Sequence, residues 1–203
     1  MQTVKCLVQL RHARPCYTLV AAALKEAELA NDGLAAVQLL HAQGQMQEVE
    51  GQTADALNTY NEVIARYQSL ALRCDLRAAE ALSDAASLRD RLGLRQDSMR
   101  LGQAAFNMLE SWVRSMGLQE MKEHPELINI YSEGTTMFVR ALLHMGRCCS
   151  RARDHRGAAK HFAHAFSLLR VHTRALPSQH AAAALALGGA LKHVVLLEPL
   201  SPG

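Results

Sequence analysis

Two stretches decide the reading: LHAQGQMQEVEGQTADALNTYNEV over residues 40–63 and LLHMGRCCSRARDHRGAAKHFAHA over residues 142–165. Laid end to end, Leu40 meets Leu142, Gly44 meets Gly146, Ala56 meets Ala158, Tyr60 meets Phe162 and Val63 meets Ala165, all at an offset of 102 residues. Each stretch has apolar residues at helical spacing, a polar turn, then a second helical pattern. A Gly in one helix and an Ala early in the next are what two closely crossing backbones require. The aromatic beside them fills the groove toward the neighbouring pair. Recurrence of one helical hairpin along a chain is the mark of a stacked array.

The offset of 102 is three times 34, and the small–small–aromatic–small arrangement resembles the tetratricopeptide repeat (TPR). That resemblance implies a right-handed α-solenoid of antiparallel helix pairs, with a concave groove lined by the first helix of each pair. Ala86, Ser98 and Ala105 give a weaker third copy, with Gly102 in the aromatic's place. It falls 42 residues after the first copy and 60 before the last, out of the 34-residue register. Neither strong copy carries the family's terminating proline.

Outward from these stretches the pattern stays helical, and no run alternates long enough to make a strand. Leu19, Ala22, Ala23, Ala27 and Ala30 form one stripe ahead of the stop signal Asn31-Asp32-Gly33. A helix is expected over 34–49, then a turn with Thr53 as N-cap and a helix ending near Gln68. Helices over 70–92 and 96–116 divide around Gly93, and Gly117–Pro125 reads as a longer connection. Helices over 126–151, 155–173 and 178–197 follow, the first two separated by the tight polar turn Arg153–Gly157. The fold class expected is all-α, about eight or nine helices in a single repeat domain over 1–197, with 198–203 a disordered tail.

Composition agrees. Of 203 residues, 49% are hydrophobic, 20% charged and 4% aromatic, which excludes a disordered, collagen-like or membrane-embedded chain. Ala181–Leu197, the longest weakly interrupted apolar run, is broken by Lys192-His193 and is too short for the ~20 residues of a membrane span. Five cysteines without framework spacing point to a reduced, intracellular protein. The expected compartment is cytoplasmic. A mitochondrial alternative rests on the basic start, where Lys5, Arg11, Arg14 and Lys25 precede the first acid, Glu26.

Catalytic signatures are missing: there is no glycine-rich phosphate loop, nucleophile elbow, HExxH or EF-hand ladder. The Gly188-Gly189 dipeptide reads as a packing site within an Ala/Leu helix. His144 and Cys148, four apart, and His161 and His164, three apart with His155 upstream, could be imagined around a metal. They lack zinc-module spacing and are read as surface histidines. Cys148 and Cys149 are read as small packing residues, and the methionines, among them Met99, Met108, Met137 and Met145, as core filler. Trp112 is expected to be a buried anchor between hairpins. No cofactor and no metal are implied.

Charge is uneven. Net charge is +3, yet residues 140–174 carry eight Lys/Arg against the single acid Asp154. On the helix bearing Leu142 and Gly146, the face away from its partner presents Arg140, Arg147 and Arg151, whose intervals of seven and four put them on one stripe. The first copy offers Gln38, His41, Gln45 and Glu48 at that face, and the middle copy Ser83 and Ser87. The resemblance to TPR proteins implies a groove for an acidic or extended protein segment, and the Arg fork suits a carboxylate. A solvated helix face, or ion pairing to Glu126, Glu133 or Asp154, is the plainer account of the same residues. The expected function is non-catalytic: a protein–protein adaptor or structural subunit of a multiprotein complex, not a membrane protein. An RNA- or ribosome-associated organellar protein is the alternative, with the basic window as phosphate contact but few aromatics to stack bases. An all-α enzyme or ligand-binding domain is a third.

Overall fold

Among the described residues, four turns of the same design punctuate the chain. In each, the second of three linking residues is left-handed: Asn31 (φ 55°), Gly51 (79°), Gly93 (77°) and Arg153 (64°). The next amide then reaches back five residues, Asp32 to Ala27, Gln52 to Gln47, Leu94 to Arg89 and Asp154 to Cys149, at 2.8–2.9 Å. This is the Schellman closure, which satisfies the last carbonyls of one helix and turns the chain at once into the next. Two of the turns also cap the helix they launch. Asp32 Oδ1 accepts from the Ala35 amide at 3.0 Å, and Asp154 Oδ1 from the Gly157 amide at 2.9 Å.

The computed structural model describes residues 14–70, 76–115 and 127–171. These form seven helices: α1 (Arg14–Leu29), α2 (Gly33–Val49), α3 (Thr53–Ser69), α4 (Leu76–Arg91), α5 (Arg95–Ser115), α6 (Leu127–Arg151) and α7 (His155–Val171). No strand occurs among the described residues, and the all-α expectation holds. The expected helix over 178–197, the connection over 117–125 and the tail lie outside the described residues. The chain divides into two compact units, Met1–Leu94 and Arg95–Gly203.

In the first unit α1 packs on α2, α2 on α3, and α3 on α4. Gly44 decides how near α2 comes to α3, since a Cβ there would lie 2.9 Å from Cε1 of Tyr60. Ala56, Tyr60 and Val63 are sealed beneath that crossing, with Leu40 beside them. The side of α1 turned inward differs from expectation. Val20 and Ala27 are buried, whereas Leu19 is 67% exposed and Ala22 and Ala30 face outward. An alanine-rich helix carries two adjacent apolar stripes, and packing selects the one bearing the branched Val20. The cap of α3 also differs. Gln52 is the N-cap but its side chain makes no capping bond, while Thr53 is already helical and its hydroxyl donates to the Gly51 carbonyl at 3.3 Å. The turn at Gly51 sets where the helix begins, and the capping residue type does not.

In the second unit α5 packs on α6 and α6 on α7. The α6–α7 crossing repeats the first: a Cβ on Gly146 would lie 2.4 Å from Cε1 of Phe162. Ala158 and Phe162 are buried there, with Leu143, Cys149 and Ala159 against them. Helices α5 and α6 run antiparallel. Ser98 faces His144, the Phe106 ring lies 5.5 Å from that of Phe138, and Trp112 covers Gly134. Trp112 is half-buried, its six-membered ring lying where a Gly134 side chain would be. Met46, Met137 and Met145 are core residues as expected, whereas Met99 is exposed.

Candidate functional site

The residues expected to line a groove fall on α2 and α6, one helix in each unit, and their surroundings differ. On α2, Gln38 is half-buried and His41 is buried at 4% exposure. His41 Nε2 lies 3.2 Å from Asp84 Oδ2, and Gln45 Nε2 donates to the same oxygen at 2.8 Å. Seven residues further along both helices, Glu48 pairs with Arg91 and also accepts from the Tyr60 hydroxyl at 2.9 Å. Both rungs join residues 43 apart in sequence, with the charges reversed between them. Helices α2 and α4 therefore run parallel and in register.

Around these rungs the polar groups are closely matched. Thr59 donates to Gln47 at 2.7 Å, and Arg89 crosses from α4 to Asn61 while donating to the Ala85 carbonyl at 3.3 Å. Burial, with the carboxylates of Asp84 and Glu48, pushes the Tyr60 phenol far above its ordinary pKa. His41 and Gln45 thus direct hydrogen bonds into the protein. The α4 partners Asp84, Arg89 and Arg91 were missing from the sequence reading, because nothing local marks a partner some 40 residues away.

On α6, Arg140, Arg147 and Arg151 are all exposed, along one stripe. The fold positions they occupy hold Gln38, Gln45 and Val49 in the first copy. Asp154, the one acid in this basic window, caps α7 through the Gly157 amide. The ring stacking that RNA recognition would use is not offered by Tyr60 or Phe162, both of which are buried in their pairs.

The histidines are not a surface set. His144 is 2% exposed, with Nε2 3.1 Å from Ser98 Oγ and 3.5 Å from Cys148 Sγ. A Cβ on Gly102 would come 2.8 Å from its ring. The imidazole from α6 thus fills the place an aromatic on α5 would take, which explains the glycine in the weak copy. His161 and His155 are half-buried, and only His164 of the four is exposed. The His161 ring stands edge-on to Phe106 and that of His164 edge-on to Phe138. Burial, reinforced by His164, lowers the His161 pKa against a smaller raising effect of Asp154. Among the described residues no group of three or more His, Cys, Asp or Glu is placed to hold a metal ion. Cys148 is buried, as expected of a packing residue. The Cys149 thiol is pushed up by burial and by Asp154, which disfavours the reactive thiolate.

Taken together, the hairpin geometry defines an all-α, helical-repeat-like chain. The crystal structure of BtubC (BKLC) from P. vanneervenii shares the fold, with a TM-score of 0.75 at 13% identity, over 96% of this chain and 72% of that one. In sequence the chain is 41% identical over 204 residues to Cilia- and flagella-associated protein 54 of Chlamydomonas reinhardtii. That match takes in 95% of this chain but spans only 7% of the relative's length. No family model matches. Among the described residues no helix is long and apolar enough to cross a membrane.

Proposed function

We propose that the chain is a non-catalytic TPR-like binding segment of a larger ciliary or flagellar assembly, holding an acidic or extended protein segment against α6. One observation carries this reading: Arg140, Arg147 and Arg151 stand exposed at positions that the same hairpin fills with Gln38, Gln45 and Val49. Guanidinium groups spaced two turns and then one turn apart along a helix face suit carboxylates, each fork giving two parallel hydrogen bonds. In the first unit the matching face is tied to α4 by Asp84 and Arg91, whereas the α6 stripe is exposed. The relative supports a ciliary or flagellar location, and the mitochondrial alternative has no such support.

The test is binding of a fluorescent decaglutamate peptide to the chain and to a variant carrying Arg140→Gln, Arg147→Gln and Arg151→Val, the first copy's residues. Three exposed ion pairs together should account for about a tenfold loss of affinity, with the circular dichroism of the helices unchanged. Undiminished binding by the variant, or loss of its helicity, overturns the reading.

A further inference from the structure

Four donor atoms of different chemistry meet in the core of the second unit, where α5 packs on α6. His144 is 2% exposed, Met145 3%, Cys148 7% and Ser98 0%. Nε2 of His144 lies 3.5 Å from Cys148 Sγ and 3.1 Å from Ser98 Oγ. From the point where a Gly102 Cβ would stand, the same Nε2 is 3.1 Å away and Met145 Sδ 3.2 Å. An imidazole, a thiol and a thioether of α6 are thus gathered against the bare backbone of α5 at Gly102. At the places of His144 and Cys148 the copy over residues 40–63 has Ala42 and Met46, also buried. The first hairpin closes there with neither an imidazole nor a thiol. Helix α5 gives up a side chain at Gly102 to admit the imidazole, although glycine in a helix interior is unfavourable.

Metal bonds of about 2.0–2.1 Å to imidazole nitrogen and about 2.3 Å to sulfur, at tetrahedral to trigonal angles, hold the two ligand atoms about 3.5–3.8 Å apart. The 3.5 Å between Nε2 and Cys148 Sγ falls at that separation. The donor set selects the ion. Thiolate and thioether sulfur favour copper(I), and imidazole serves copper as well. Zinc draws instead on thiolate, imidazole and carboxylate ligands. Without metal, Nε2 and Sγ contact each other across a hydrogen atom, and the ion takes its place. The thiol releases one proton to solvent, Sγ and Nε2 each give a lone pair to the ion, and copper stays in the +1 state, so no electron is exchanged.

We infer that His144 Nε2, Cys148 Sγ and Met145 Sδ form a binding site for copper(I) on the side of α6 that faces α5. The three donors are buried, whereas Arg140, Arg147 and Arg151 of the same helix are exposed, so the site is independent of binding to an acidic segment.

The test is titration of the reduced 203-residue chain with copper(I) in competition with the chelator bicinchoninate, followed by X-ray absorption of the complex at the copper edge. The expected spectrum shows nitrogen and sulfur neighbours together. Cys148→Ala and Met145→Leu should each weaken binding by about tenfold or more, the loss that removing even an outer-shell partner brings. Met145→Leu conserves core volume and guards against a Cys148→Ala chain that misfolds. Cys149→Ala, one residue along, should bind copper as the parent does. Parental affinity in Cys148→Ala or in Met145→Leu overturns the site, because copper is then held elsewhere among the five cysteines or without the thioether. Weakened binding in Cys149→Ala overturns it as well. So does a spectrum with sulfur neighbours alone, since the imidazole is then no ligand.

Discussion

The ring of Phe162 occupies the space where a Gly146 side chain would stand, 2.4 Å from the position of a Cβ. The corresponding distance from Gly44 to Tyr60 is 2.9 Å. A methyl group therefore forces α6 and α7 apart more than it does α2 and α3. Gly146→Ala should destabilise the second unit by roughly 1–3 kcal/mol, the usual cost of overpacking a filled core, and Gly44→Ala by less. Urea unfolding of the two variants measures this. In the double variant Gly146→Ala/Phe162→Leu the penalties should be less than additive, because the smaller side chain vacates the contested space.

The two rungs between α2 and α4 should differ sharply in worth. Asp84 is 12% and His41 5% exposed in their side chains, whereas Arg91 is 58% exposed beside Glu48. Asp84→Ala strands the donors of His41 and Gln45 in a buried setting, at a cost of about 1–3 kcal/mol. Asp84→Asn keeps an acceptor oxygen and should cost less. Arg91→Ala removes a largely solvated pair, and a change below about 1 kcal/mol is expected. Thermal melting of the three variants ranks them.

Acid should weaken the fold through His161. Its pKa is lowered in the folded chain, chiefly by burial. The unfolded chain therefore binds a proton first as pH drops. The contribution of His161 is complete above the ordinary histidine value of about 6.5 and is lost as pH falls from there through the folded value. Urea midpoints at pH 8 and pH 5 should fall further apart in the parent than in His161→Gln. Equal shifts in the two proteins would show that the edge contact with Phe106 carries no proton linkage.

How much of this was written locally in the chain follows from the range of each interaction. The crossings at Gly44 and Gly146 were legible because a small residue, a turn and an aromatic recur within 24 residues. The tight polar turn over Arg153–Gly157 was legible for the same reason, though not the cap that Asp154 gives α7. His144 was not, because its burial depends on Ser98 and Gly102 of another helix, 46 and 42 residues back. Nor was the side α1 presents, since a helix rich in alanine gives weak directional information until a neighbour with shape selects one stripe. Of the expected groove residues, the exposure of Arg140, Arg147 and Arg151 could be read from helical phase alone. The engagement of His41 and Gln45 by Asp84 needed α4 brought alongside.

Arg153 is the one long side chain among the four left-handed turn residues, in a place held elsewhere by Gly51, Gly93 and Asn31. A Cβ in that region crowds the following carbonyl, at a cost of roughly 1–2 kcal/mol for a residue other than glycine or asparagine. Glycine escapes the crowding but gives back part of the gain as added freedom in the unfolded chain. Arg153→Gly should therefore raise stability by up to about 1 kcal/mol, and Arg153→Asn by a smaller amount. Thermal melting of the two variants checks this. If stability falls instead, the guanidinium contributes packing or hydrogen bonds to the turn that outweigh the backbone strain.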